Sequence, residues 1–197
     1  SLNNYFTYLL IIYFVIQILY CFFLKQIPLI EFFCVASGFI IRSIAGGLAS
    51  ETYISFWFLL SVGMLSLFIA LEKRKAEILN LQKSKERTRK VLKSYSLNLL
   101  EKFESVLTSC TVMTYSLWCF GPQVGGAPSS LMIITIPFVL LGIFRYQMLG
   151  ENNQKTINNQ FAFSLLESPE KVLITDKPIQ IIVFSWLLIT LCIGLLT

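Results

Sequence analysis

Residues 5–24 read "YFTYLLIIYFVIQILYCFFL", twenty positions without a single Asp, Glu, Lys or Arg. A helix of that length covers about 30 Å, the thickness of bilayer hydrocarbon. Five further segments of similar character follow, at about 29–49, 54–71, 97–120, 129–149 and 179–197. The whole chain is 55% hydrophobic and 14% charged over 197 residues, more apolar than a soluble domain of this size requires. Period-two alternation typical of barrel strands is absent, and only helices and closed barrels satisfy their backbone inside lipid. The expected fold is therefore all-α: a polytopic transmembrane helical bundle, one integral-membrane domain over residues 1–197. No internal repeat or long disordered tail interrupts it. The sequence begins at Ser1 rather than Met, and no basic n-region or small-residue cleavage site marks a secretory signal. It therefore reads as part of something longer, or as a processed chain.

Charge is placed unevenly around these spans. The formal net charge is +5, with 16 Lys and Arg against 11 Asp and Glu. Nine of the sixteen cations fall in "ALEKRKAEILNLQKSKERTRKVLKSY", residues 70–95, between the third and fourth spans. The first connection carries Lys25, and the fifth carries Lys155, Lys171 and Lys177. The second, "ASETY", and fourth, "GPQVGGAPSS", have no Lys or Arg. Positive loops stay on the cytoplasmic face, so odd connections are expected inside and both termini outside. Such local charge argues for a phosphate group or an anionic lipid surface as partner, and against nucleic acid.

The chain has no histidine, which excludes imidazole catalysis and imidazole metal ligands. Cys21, Cys34, Cys110, Cys119 and Cys192 lie within apolar spans without C-x-x-C spacing, and read as buried structural thiols. Arg42 is the costly residue: a cation at mid-span carries a penalty of roughly 2.5–3.5 kcal/mol, so a use is expected for it. Glu31, eleven residues earlier, is too far along the helix to pair with it and reads as hydrated at the inner end. Gly46 and Gly47 lack the strand–loop–helix context of a phosphate cradle and are read as close helix packing.

In "EKRKAE", Lys73 and Glu77 stand four apart on one helical face, with Arg74 within a turn of Glu77. Cations beside one acid at a membrane mouth suit a metal-bound diphosphate: Lys73 and Arg74 toward phosphate oxygens, Glu77 toward the metal. The bland alternative is a topology signal touching anionic lipid. Glu101 and Glu104, three apart, could bind a metal, accept a proton or sit at the water boundary. Tyr53, Trp57 and Trp118 read as an interfacial aromatic belt.

The runs "ILYCFFLK", "SGFIIRSIAGGLA", "EKRKAEI", "RKVLKSYSLNLL" and "ITIPFVLLGIFRY", in this order and spacing, resemble the UbiA prenyltransferase superfamily, and within it the decaprenyl-phosphate phosphoribosyltransferase branch. The resemblance covers nearly the whole chain. It implies a UbiA-like bundle of nine spans, of which six are present here, and a cavity open to the cytoplasm of a bacterial plasma membrane. It implies transfer of 5-phosphoribosyl from phosphoribosyl pyrophosphate to a polyprenyl phosphate, dependent on Mg2+ and feeding cell-wall biosynthesis. On this resemblance Lys73, Arg74 and Glu77 are the catalytic candidates, with Glu77 the magnesium ligand. Lys25, Arg42, Arg89, Lys90 and Tyr95 are the substrate-binding candidates. The family's first acidic motif, N-D-x-x-D-x-x-x-D, has no counterpart: Asp176 is the only aspartate. Catalysis by this chain alone is therefore not expected. A missing N-terminal segment, a partner completing a split protein, a degenerate relative and a homo-oligomer all stay open. An ordinary aromatic prenyltransferase would want aspartates where Lys73–Glu77 stand. A transporter or non-catalytic membrane scaffold would leave "KRKAE" and Arg42 without tasks.

Overall fold

In the computed structural model, residues 2–84, 95–121, 125–155 and 169–196 are described. Seven α-helices follow one another: α1 (Leu2–Phe22), α2 (Ile30–Ala49), α3 (Phe56–Ser84), α4 (Leu97–Cys119), α5 (Ile136–Lys155), α6 (Pro169–Thr175) and α7 (Lys177–Leu196). Short 3-10 turns sit at Leu24–Gln26 and Ser130–Thr135. No strand occurs among the described residues. Four of the six expected spans appear as helices within about three residues of their anticipated limits; the fifth opens as the 3-10 turn at Ser130–Thr135 before Ile136–Lys155. α3 runs on past its apolar part into the basic stretch, and the polar loop before the last span contains α6.

Among the described residues, five helical segments are long and apolar enough to cross a membrane: Tyr5–Phe22, Ile30–Ala49, Phe56–Leu79, Ser130–Glu151 and Lys177–Leu196. The fourth expected span forms α4, a 23-residue helix, but is more polar than those five. Its hydroxyls turn back onto the helix. Ser105, Ser109, Thr111, Thr114 and Ser116 each donate to the carbonyl four residues earlier. Such bonds satisfy a polar side chain locally where water is absent. Ser96 starts α4 by accepting from Leu99 N at 3.2 Å, a side-chain N-cap.

Consecutive helices pack in chain order, α1 on α2, α2 on α3, α3 on α4, α4 on α5 and α5 on α7, with α3–α4 the most extensive contact. Three clusters fill the seams. Phe32, Leu67, Leu71 and Leu100 join α2, α3 and α4. Phe68, Ile143, Tyr146 and Ile179 join α3, α5 and α7. Tyr115, Cys119, Met132 and Ile193 close the opposite end. There Trp186 donates to the Tyr115 hydroxyl at 2.8 Å, which lies 2.7 Å from Thr135 Oγ1. Ser55 links the second connection to the fourth by donating to Gly125 O. Trp118 packs on Phe58 and Tyr115, while Tyr53 is exposed.

Gly47 is buried where a Cβ would overlap Ile54, as close packing requires, whereas Gly46 faces open space. The thiol reading needs correction: Cys119 is buried, Cys34 and Cys110 are half-buried, and Cys21 and Cys192 are exposed on apolar helices. Among the described residues, uncharged spans leave these faces toward lipid, where a thiol is tolerated.

Candidate active site

Residues 72–77 of α3 send their charges to different sides because successive helical residues turn by about 100°. Lys73 is exposed. Arg74, buried at 8% exposure, reaches across to α2, where Nη2 lies 2.5 Å from Glu31 Oε2. Its Nη1 donates to Glu77 Oε2, one turn onward. Two carboxylates therefore share one guanidinium, leaving one negative charge in surplus. Glu31 is 2% exposed, and neither of its oxygens accepts a well-aligned hydrogen bond among the described residues. Its contact with Arg74 is ionic rather than directional.

The turn before α2 supports this pair. Leu29 takes φ 67°, an uncommon conformation for a leucine, and its N–H donates to the Tyr95 hydroxyl at 2.6 Å. The Tyr95 ring rests 5.6 Å from that of Phe32. Burial pushes the Tyr95 phenol up; the Leu29 N–H works against this, and the nearby Glu31 charge adds to it.

Lys75 points the other way, into the seam of α3, α4 and α5. Its Nζ donates to Glu104 Oε2 at 2.5 Å and lies 3.9 Å from Glu72 Oε1. Exposures are 5%, 8% and 3% for Lys75, Glu104 and Glu72, so the triad is dry. Glu72 Oε1 has no hydrogen-bond partner among the described residues. Gly150 of α5 lies beside it: a Cβ there would stand 3.5 Å from Glu72 Oε2, an ordinary contact. Further round the same end, Asp176 receives Arg145 Nη2 at 2.8 Å and Nε at 3.2 Å, and caps α7 by accepting from Ile179 N at 2.9 Å. The Arg145 guanidinium holds the Asp176 carboxyl below its ordinary value, and the Ile179 N–H adds to this.

Chemically, this end offers an exposed cation, Lys73, next to a carboxylate, Glu77, that is aimed from behind by Arg74 and Glu31. It does not make a metal centre by itself. No group of three or more His, Cys, Asp or Glu side chains among the described residues is placed to hold a metal ion. Glu77 already accepts from Arg74, and Glu31 lies sealed behind it.

Residues 1–166 match the model of the UbiA prenyltransferase family. The chain belongs to the UbiA prenyltransferase family. It is 32% identical over 177 residues to a decaprenyl-phosphate phosphoribosyltransferase of Corynebacterium glutamicum, covering 89% of this chain and 50% of that protein. A decaprenyl-phosphate phosphoribosyltransferase of Mycobacterium tuberculosis is 30% identical over 178 residues, covering 90% of this chain and 55% of that protein. One of Mycolicibacterium smegmatis is 30% identical over 184 residues, covering 89% and 54%. The chain thus spans about half the length of the curated relatives it matches.

Within this UbiA chain the structure brings together Arg74, Glu77 and Tyr95, with Lys73 alongside on α3. Lys25 is exposed in the Leu24–Gln26 turn at the same end. Arg42 is not part of the cluster. It is exposed on α2, its Nε donating to Gly38 O at 3.0 Å and its guanidinium 4.4 Å from the Phe39 ring centroid. Arg89 and Lys90 lie outside the described residues. The expected hydration of Glu31 is corrected: the residue is buried, because Arg74 and Tyr95 cover it. Sequence reasoning also passed over Lys75 and assigned Glu104 no partner. The available signal was angular. Lys75 sits about 200° round the helix from Lys73, so it could not share that face.

Proposed function

We propose that the protein transfers 5-phosphoribosyl from phosphoribosyl pyrophosphate to a polyprenyl phosphate at the cytoplasmic face of a bacterial plasma membrane, with this chain forming one integral-membrane domain. The observation that carries this reading is the buried Glu31–Arg74–Glu77 arrangement beside exposed Lys73 at the cation-rich end of a UbiA bundle. Relatives named decaprenyl-phosphate phosphoribosyltransferase support it.

The chemistry follows from charge. Cleavage of the ribose C1–O bond leaves an oxocarbenium-like centre while negative charge grows on the departing diphosphate. Preorganised cations stabilise that charge as it develops. Among the described residues, Lys73 is an exposed cation that can meet phosphate oxygens directly, and Lys25 is a second. Arg74 acts from one layer back, fixing the orientation of Glu77. A lipid phosphate is already an anion near neutral pH and needs positioning rather than a general base. Loop cations lower the repulsion between two anionic substrates, and Arg89 and Lys90 belong to this role. Arg42, about 16 Å from Glu31 along α2, is a separate deeper cation. Mg2+ dependence belongs to the proposal: Glu77 would be one of its ligands, and the ion would neutralise charge on the diphosphate.

The test offers membranes bearing the full-length protein radiolabelled phosphoribosyl pyrophosphate and polyprenyl phosphate. Labelled lipid is expected, with loss on Lys73→Ala and on Glu77→Ala. Transfer of a prenyl group to an aromatic acid instead, or no labelled lipid with any divalent cation, refutes the reading.

A further inference from the structure

The Lys75–Glu104–Glu72 triad has no task in the reaction just described. It lies behind the helix, away from Lys73, and all three side chains are nearly sealed from solvent. Yet it is an expensive arrangement, since two carboxyl groups and one ammonium are stripped of water and Glu72 Oε1 receives no hydrogen bond among the described residues. A seam of this kind could be held by apolar side chains without that cost. What an ionic contact adds is direction. Lys75 Nζ meets Glu104 Oε2 at 2.5 Å only at one rotation of α3 against α4, whereas apolar surfaces tolerate several.

That rotation matters because Lys73 and Lys75 stand about 200° apart on α3. Pinning Lys75 to α4 sets the direction in which Lys73 leaves the opposite side. We propose that Lys75, Glu104 and Glu72 are positioning residues, an ionic register pin that fixes the rotation of α3 so that Lys73 faces the donor diphosphate. This rests on the role given to Lys73 above.

The experiment uses the full-length protein in membranes and has two readouts. One is steady-state transfer, with KM for phosphoribosyl pyrophosphate separated from kcat. The other, independent of activity, is the rate at which a charged maleimide labels Lys73→Cys in a background lacking the five native cysteines. The pin is replaced by apolar packing in Lys75→Met/Glu104→Leu/Glu72→Gln. The expected result is an unfolding midpoint at or above that of the parent, with kcat/KM reduced about ten- to a hundredfold, mainly through KM. Labelling is expected to change severalfold. The exchanged pair Lys75→Glu/Glu104→Lys restores both readouts toward the parent. A folded apolar variant with parental KM and parental labelling overturns the pin. If that variant fails to insert, Glu104→Ala decides, because it removes the contact across to α4 while Glu72, 3.9 Å from Lys75 Nζ, still balances the ammonium. A raised KM with altered labelling supports the pin, and unchanged values overturn it. A parent without transfer activity but with labelling that follows the pin would refute the proposed reaction and leave the pin standing.

Discussion

The Glu31–Arg74–Glu77 trio predicts an asymmetric response to mutation. At 2.5 Å and an effective dielectric near 20, Arg74 and Glu31 attract by about 7 kcal/mol, most of it offset by desolvation. Arg74→Met leaves the Glu31 carboxyl without its counter-ion at 2% exposure and beside a second acid, Glu77. Such an orphaned charge costs about 3–5 kcal/mol. Glu77, with its side chain 18% exposed, can still be hydrated, so Glu31 carries the greater part of the cost. Glu31→Leu does the opposite: it removes the surplus negative charge and leaves Arg74 paired one-to-one with Glu77. Its cost is expected to stay below about 1.5 kcal/mol. The double variant Arg74→Met/Glu31→Leu should therefore be more stable than Arg74→Met alone, with a coupling of about 2–3 kcal/mol. Equilibrium unfolding of the detergent-solubilised protein, followed by circular dichroism for all four members of the cycle, measures it. Additivity within about 0.5 kcal/mol, or Glu31→Leu as damaging as Arg74→Met, refutes the charge accounting.

Other perturbations test other joints. Tyr95→Phe removes the acceptor of the Leu29 N–H, so a destabilisation of about 1–3 kcal/mol is expected in the same assay, with faster amide exchange at Leu29. Asp176, held below its ordinary value, contributes stability that is fully present above the unfolded carboxyl value of about 4 and is lost as pH falls through the lower folded value. Unfolding measured from pH 7 down to pH 2 should show this loss, and Asp176→Asn should flatten that part of the profile. Gly126→Ala would drive a Cβ into the Trp118 carbonyl oxygen, at a place where Ala127 N donates to that same oxygen at 2.7 Å. A loss of about 1–3 kcal/mol is expected, read as a lower unfolding midpoint.

The helices were legible in the sequence because each is a long uncharged run whose length matches a bilayer. α4 reads in the sequence as a span like the others, and its hydroxyls, which make it more polar, bond back to their own helix. At the site, Lys73, Arg74 and Glu77 could be grouped because helical spacing is a local rule, and Arg74 with Glu77 did pair. The partners Glu31 and Glu104 were not legible. Each sits on a different helix, and which face of α2 or α4 meets α3 depends on packing that no local pattern records. The lone acid in "LIEFF" resembled a hydrated end only because Arg74 was 43 positions away in the chain.

The lopsided placement of ionised side chains has a consequence for biogenesis. On the proposed orientation, the second and fourth connections are the hairpin tips that traverse the hydrocarbon, and Glu51 is the one charged residue in them. Each pair of helices can therefore slip across as a unit, with its cationic stalks acting as brakes on the near side, and neighbours in sequence meet as soon as they arrive. Adding a single lysine to "GPQVGGAPSS" would place a brake on the wrong side of that passage.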